Sequence, residues 1–303
     1  MACVIGAALS LAGYFIVLDQ EHAASKAHFE HAIHKHVAIL DQGLNISFSA
    51  LRSLGGLFLA KEKVSPLDFK RFIEPVLDIH PEIQALEWIP RIKAPERAAF
   101  EAMARKEGFA GFQITERTEQ GMVSAGTDRE EYFPVYLVEP YEKNRAAHGF
   151  DLASSPTRLK ALEMARDTGK MAATERITLV QETGDQYGFL IFQPVYRAGA
   201  PVDSVESRRA NLMGFTLGVF RIDNIINNAI GSFSKLEQSS FHVFDHSAPA
   251  GKQLLYPKSS PIENRGDLGD SNCLDDRLDI TGRDWLVTFC PPAGGVGYVV
   301  SHI

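Results

Sequence analysis

The chain has 303 residues, 45% of them hydrophobic and 23% charged, with a formal net charge of −7. That is enough apolar material for one large or two medium domains, each with its own core. No basic patch of the size nucleic-acid binding needs is visible, the acidic balance fits a soluble surface facing small ligands, and no phosphate loop or cofactor fingerprint is present in the sequence.

The first element is apolar. Ala2–Leu18 carries no charged residue. It is slightly short of the ~20 residues that cross a bilayer. A secretory signal would carry a basic residue before the run and a small-residue cleavage site after it, and the sequence has neither. A membrane helix over residues 1–18 is the expectation, with a buried soluble helix as the alternative.

Residues 19–64 continue as a long stalk helix. Phe29, Ile33, Val37, Leu40, Leu44, Phe48 and Leu51 recur at three- and four-residue steps, so they form one apolar stripe. Such a stripe packs on a domain or pairs with a second copy. His22, His28, His31, His34 and His36 share this helix. No thiol or carboxylate completes a recognised ligand spacing with them, so a solvated, weakly pH-sensitive face is expected.

Ser65-Pro66-Leu67-Asp68 has the chemistry of a capped helix start, and His80-Pro81 ends that helix. A strand is expected over residues 83–92 and a short helix over 95–106, closed by Gly108. Phe112–Thr115 reads as a strand and Gln120–Arg129 as a polar loop. A third strand is expected over Tyr132–Glu139, where Pro134 argues for an edge or a bulge. Ser155-Pro156 starts a second capped helix that Gly169 stops. Strands near 176–181 and 187–196 follow, then a loop over 198–211, a strand over 213–220 and a helix over 225–230. From Phe241 the pattern is β-rich again.

Cys273 and Cys290 flank an expected hairpin turning at Thr281-Gly282, which sets them opposite each other. A disulfide or two buried thiols both fit. Strands interleaved with short helices in two units imply an α+β fold with antiparallel sheets.

An ordered series of residues resembles the CHASE family, the extracytoplasmic sensor domains of histidine kinases and nucleotide or diguanylate cyclases. It begins with Ala85-Leu86-Glu87-Trp88, Pro90-Arg91, Arg97 and Phe100-Glu101. It continues with Tyr132-Phe133-Pro134-Val135, Asn144, Gly149-Phe150-Asp151-Leu152, Ser154, Arg158, Ala161-Leu162, Ala165-Arg166 and Thr168-Gly169. It ends with Thr174, Leu179-Val180, Gly188 and Pro194-Val195-Tyr196. The series spans about residues 81–225.

The resemblance implies a membrane-anchored stalk followed by two tandem PAS-like units. These are a membrane-distal ligand-binding unit over 65–225 and a membrane-proximal unit over 226–303. It also implies an inner (plasma) membrane receptor with residues 19–303 outside, acting as a homodimer in two-component or cyclic-di-GMP signalling. The output domain lies beyond Ile303, so no catalysis is expected from this chain.

Apolar residues with a few convergent polar groups make a ligand pocket. Ile177 and Leu179 are expected on one face of the first strand of the 176–181 and 187–194 pair, and Leu190 and Phe192 on one face of the second, with Trp88, Tyr132 and Tyr136 as flat aromatic surface. Ordinary core packing is the alternative for each. From the family, Leu152, Thr174, Val180 and Gly188 join the candidate set. Asp151 braces its loop or binds a ligand cation. Arg158, in a helix first turn where the macrodipole disfavours a cation, needs a carboxylate partner, Glu131 or Glu139, or an anionic ligand.

Thr157 falls near an aspartate that reads the purine in plant members, and Phe192 replaces a threonine of the same pocket. Each unmatched buried polar group costs ~1–3 kcal/mol, so a small molecule other than a cytokinin is expected. No cofactor is expected. A ligandless relay module is the alternative function.

Overall fold

The structure, a computed structural model, describes residues 2–61, 63–126, 129–179, 187–230, 240–269 and 273–290; the side chains of residues 2–9, 22, 25, 26, 28, 29, 32, 229 and 230 fall outside it. Val180 and the side chains of His22, His28 and Phe29 therefore lie outside the described residues.

A single helix, α1 (Ala2–Ala60), combines the first two expected segments. Its stripe of Ile33, Val37, Leu40, Leu44, Phe48, Leu51, Leu54 and Phe58 is buried. Tyr14, Phe15, Ile16 and Val17, by contrast, are exposed. Among the described residues no helix is long and apolar enough to cross a membrane. The second helix, α2 (Pro66–Ile79), starts with the expected capping box. Ser65 Oγ accepts from the Asp68 amide at 3.2 Å, and the Ser65 amide donates to Asp68 Oδ2 at 3.0 Å.

The next elements are β1 (Ile83–Pro90), β2 (Ile92–Lys93), α3 (Arg97–Lys106), β3 (Thr115–Thr118), β4 (Gly121–Ser124), β5 (Glu131–Tyr132) and β6 (Leu137–Glu139). Four expectations change here. The expected strand over residues 83–92 is broken at Arg91 into β1 and β2, and of the expected strand over Phe112–Thr115 only Thr115 joins a ladder, at the start of β3. The expected polar loop contains β4, which forms a hairpin with β3. The expected strand over 132–139 is split into β5 and β6, which join different sheets. Pro134 lies at the break. It lacks an amide to continue a ladder and makes only an isolated bridge to Asp151.

There follow α4 (Tyr141–Asn144), α5 (Pro156–Thr168), β7 (Ala172–Ala173), β8 (Ile177–Thr178), β9 (Tyr187–Tyr196), α6 (Val205–Asn211), β10 (Leu212–Arg221) and α7 (Ile222–Ile230). Gly169 ends α5 in the left-handed conformation, φ 72°. The expected 198–211 loop contains α6, because Ser204 and Ser207 cap it reciprocally. The chain closes with β11 (Ser240–Asp245), β12 (Leu254–Tyr256), β13 (Leu274–Asp279) and β14 (Asp284–Cys290).

The main sheet has six antiparallel strands in the order β6-β1-β10-β9-β7, with β8 also pairing β9. It is covered by α1 on one face and α5 on the other. A second sheet, β12-β11-β14-β13, packs beside the earlier part of α1 through β13. His34 Nδ1 lies 2.7 Å from Asp276 Oδ2 at that contact. The two sheets are tied by Lys252 Nζ to Glu175 Oε1 at 2.8 Å and by Arg176 Nη2 to the Gly251 carbonyl at 2.7 Å. Cys273 and Cys290 form a disulfide across the β13–β14 register, with Cα atoms 4.1 Å apart.

Candidate ligand-binding site

Both faces of β1 are buried, so its alternation sorts residues between two cores. Leu86 and Trp88 join the core beneath α1, and Ala85 and Ile89 join the core beneath α5. Glu87 shares the α5 side, where it lines a small cavity over the middle of the sheet. The cavity is walled by Leu190 of β9, by Leu217 and Val219 of β10, and by Leu179, Val135, Ala147, Phe150 and Leu152. Arg158 closes it from the first turn of α5. Its volume is about 20 Å³, room for about one water.

The walls are apolar except for two charged groups. Glu87 is 2% exposed. No hydrogen bond or ion pair reaches its carboxylate from the described residues, and burial pushes its carboxyl up to about 8, against a smaller opposing pull from Arg158. Arg158 donates from Nη2 to the Thr178 carbonyl at 3.2 Å and lies over the Phe150 ring at 5.3 Å. Its Nε is buried without a partner among the described residues. Burial lowers its guanidinium to about 10, and the nearby charge of Arg117 acts in the same direction. The two groups thus face one cavity without forming a salt bridge. Glu131 and Glu139, the carboxylates expected for Arg158, are engaged elsewhere: Glu131 pairs with Arg91 at 2.5 Å, and Glu139 accepts from the Tyr141 amide at 3.1 Å.

Of the residues expected at a pocket, Leu152, Arg158, Leu179 and Leu190 line this cavity. Gly188 is adjacent in role: a Cβ there would lie 2.7 Å from Leu179 Cγ, so glycine lets Leu179 lie across β9. Phe192 is on the same side but packs edge-on against Phe215, ring centroids 5.7 Å apart. Thr174 accepts from the Leu190 amide at 3.0 Å and donates its own amide to the Leu190 carbonyl at 2.9 Å. It pins β9 from outside the cavity.

Asp151 is fully buried and accepts from the Phe133 amide at 2.8 Å, the Ala153 amide at 3.2 Å and Arg129 Nη1 at 3.0 Å. Burial raises its carboxyl pKa despite those donors. It braces the loop that carries Phe150 and Leu152.

The three aromatic residues belong elsewhere. Trp88 stacks on Phe58 of α1 at 3.8 Å. Tyr132 donates to the Gly126 carbonyl at 2.7 Å beneath Arg97. Tyr136 meets Phe100, Phe109 and Phe112, and its hydroxyl donates to Glu107. All three lie in the core that includes α1, away from the cavity, because alternation along β1 and the break at Pro134 send them there.

Sequence reasoning missed Glu87 as a site residue. Its signal was the only ionisable side chain in the strand Ile83–Pro90. A second groove, about 580 Å³, runs between α2 and the edge strand β6. Most of its charges are solvated; Lys70 and Glu74, for example, are each about half exposed, although burial raises the Glu139 carboxyl. Solvated charges discriminate ligands weakly compared with buried ones.

The fold is an antiparallel sheet clamped between a long N-terminal helix and a short helix, with a charged cavity at its centre and a second sheet following. The fold is similar to the ligand-binding domain of the Pseudomonas aeruginosa PAO1 amino acid chemoreceptor PctC in complex with GABA. The TM-score is 0.53 at 12% identity, covering 86% of this chain and 97% of that one. It is also similar to an extracellular ligand-binding receptor from Desulfohalobium retbaense, with TM-score 0.53 at 10% identity, covering 86% of this chain and 40% of that one.

The sequence matches the CHASE domain over residues 62–256, and the chain belongs to that family of sensor domains. A curated relative, the hybrid signal transduction histidine kinase A of Dictyostelium discoideum, is 21% identical over 310 residues. The match takes in 95% of this chain and 14% of that protein, so the chain spans about a seventh of its length.

Proposed function

We propose that this chain is the extracytoplasmic small-molecule sensor region of a transmembrane signalling receptor, and that its ligand binds in the cavity over β1, β9 and β10. The observation that carries the reading is the pairing of Glu87 and Arg158 at one apolar cavity without a mutual salt bridge. Buried charges are costly and are retained where something compensates them.

The sheet supplies a short route from that cavity to the stalk. Along β10, Leu217 and Val219 face the cavity, while Phe220 faces α1. Phe220 packs on Phe48 at 5.8 Å, and Gly218 lies where a Cβ would touch Leu51 at 3.5 Å. A ligand that displaces β10 therefore acts on α1 through the thickness of one strand. Differential affinity for two positions of that strand is the coupling free energy.

The Ala2–Leu18 stretch serves as the anchor in the inner (plasma) membrane, residues 19–303 lie outside it, and α1 pairs with a second copy. The output is a histidine kinase or diguanylate cyclase beyond this chain; the likeness to a hybrid kinase favours the first.

The small volume of the cavity favours a second reading, a ligandless relay. A thermal-shift screen of purines, amino acids, small acids and lipids separates the two. The sensor reading expects a compound that raises the melting temperature of the chain but not that of Val219→Phe, which fills the cavity from β10. A screen with no such compound supports the relay.

A further inference from the structure

Resting on the cavity as the ligand site, we infer that its ligand is a compact zwitterion, with its carboxylate on Arg158 and its cationic group on Glu87. Arg158 offers a buried Nε donor with no partner among the described residues. Carboxylates take arginine donors in a fork geometry, and here one prong, Nη2, is occupied by the Thr178 carbonyl. Glu87 offers a buried carboxylate with no donor from the described residues. It is a place for a cation that brings its own hydrogens.

A simple anion would pair with Arg158 and leave the Glu87 carboxyl without a charged partner. A simple cation would do the reverse. A molecule carrying both charges compensates both groups at once and adds no net charge to a low-dielectric site. Burial, against the smaller pull of Arg158, pushes the Glu87 carboxyl up to about 8, and an ammonium beside it would favour the ionised carboxylate. Arg158 is the charged group facing it, and the charge of Arg117 acts on Arg158.

Size follows from the walls. The cavity accepts about one water as it stands, so any organic ligand must move them outward. Arg158 is the wall element most able to move, since it sits in the first turn of α5 on a long side chain and is only half-buried. The ligand's uncharged part is therefore short, a few carbons, lying against Leu190, Leu217 and Val219. Because binding expands the cavity, occupancy and displacement of its walls are one event.

The test uses calorimetry and thermal shift on the whole chain with alanine, β-alanine and 4-aminobutyrate. Propionate and propylamine serve as half-molecules, and adenine represents a neutral planar ligand. The inference expects at least one zwitterion to bind and both half-molecules to bind at least about tenfold more weakly, the loss expected when one charge-assisted contact goes. Glu87→Gln and Arg158→Met should each lower that affinity about tenfold or more, and Arg158→Lys should restore part of it. Glu87→Gln removes a buried acid, so it keeps its fold and its result is readable. Propionate matching the zwitterions would overturn the inference in favour of an anion site. Adenine binding alone, unchanged in both variants, would overturn it and leave the sensor reading standing. No binding by any member of the panel or of the wider screen would overturn both.

Discussion

Glu87 and Trp88 are consecutive in β1, yet they belong to different cores. Glu87 lines the cavity beneath α5, and Trp88 stacks on Phe58 of α1 at 3.8 Å. One strand thus carries the cavity-facing charge and the α1-facing ring back to back. That arrangement separates the consequences of changing each.

Trp88→Ala removes the stacked ring and leaves a hole at the helix–sheet contact. A loss of about 3–5 kcal/mol of stability is expected, measured by urea unfolding. The affinity of the folded fraction for any cavity ligand should be unchanged. A selective loss of affinity with stability intact would return Trp88 to the ligand site.

Glu87 should make stability pH-dependent. Its folded pKa, about 8, lies above the unfolded 4.5. Folding therefore favours the protonated acid. The contribution of this group is fully present below about pH 4.5, where both states are protonated, and stability is lost as pH rises toward 8. The slope is at most about 1.4 kcal/mol per pH unit. Glu87→Gln should abolish this decline, so the variant gains on the wild type between pH 5 and 8 in melting-temperature measurements. Parallel curves for the two proteins would show that Glu87 keeps its ordinary pKa.

Gly188→Ala places a Cβ 2.7 Å from Leu179 Cγ. Leu179 must shift, which closes or distorts the cavity wall. The expected stability loss is about 1–3 kcal/mol from overpacking, with ligand binding lost altogether. Retained affinity in calorimetry would place the ligand elsewhere.

Asp151→Ala strands the Phe133 and Ala153 amides and releases Arg129. A loss of roughly 2–5 kcal/mol is expected. Asp151→Asn should recover part of it, because the amide oxygen still accepts from those backbone donors. If both variants melt like the wild type but lose ligand, Asp151 is a contact and not a brace.

The Cys273–Cys290 disulfide spans 17 residues of sequence. Replacing both with serine should cost about 3 kcal/mol by the loop-entropy relation. The change should appear in thermal melts without reductant and vanish when the wild type is measured with reductant.

Local chemistry was legible without the fold. The α1 stripe, the Ser65 capping box and the Gly169 stop each depend on residues within a few positions of one another, so periodicity and capping rules found them. The capped turn at Ser204 follows the same rules but lacks an apolar run to mark it, so it read as a loop. The ordered CHASE pieces also told the family directly, because a long series of side chains in sequence order is a one-dimensional signal.

The site was a matter of three dimensions. Strands β1, β9 and β10 are buried on both faces, so alternation predicts two faces without saying which one faces a helix and which a cavity. Aromatic rings were natural pocket candidates by chemistry, yet Trp88 and Tyr136 went to the α1 side. Arg158 was identifiable as a cation out of place at a helix start, but its counterpart Glu87 lies 71 positions earlier by residue number. Only the folded sheet brings them to one cavity, because strand pairing ignores distance along the chain. The sequence by itself therefore determined most of the elements and the family, and the packing of α5 over the sheet decided which side chains share the cavity.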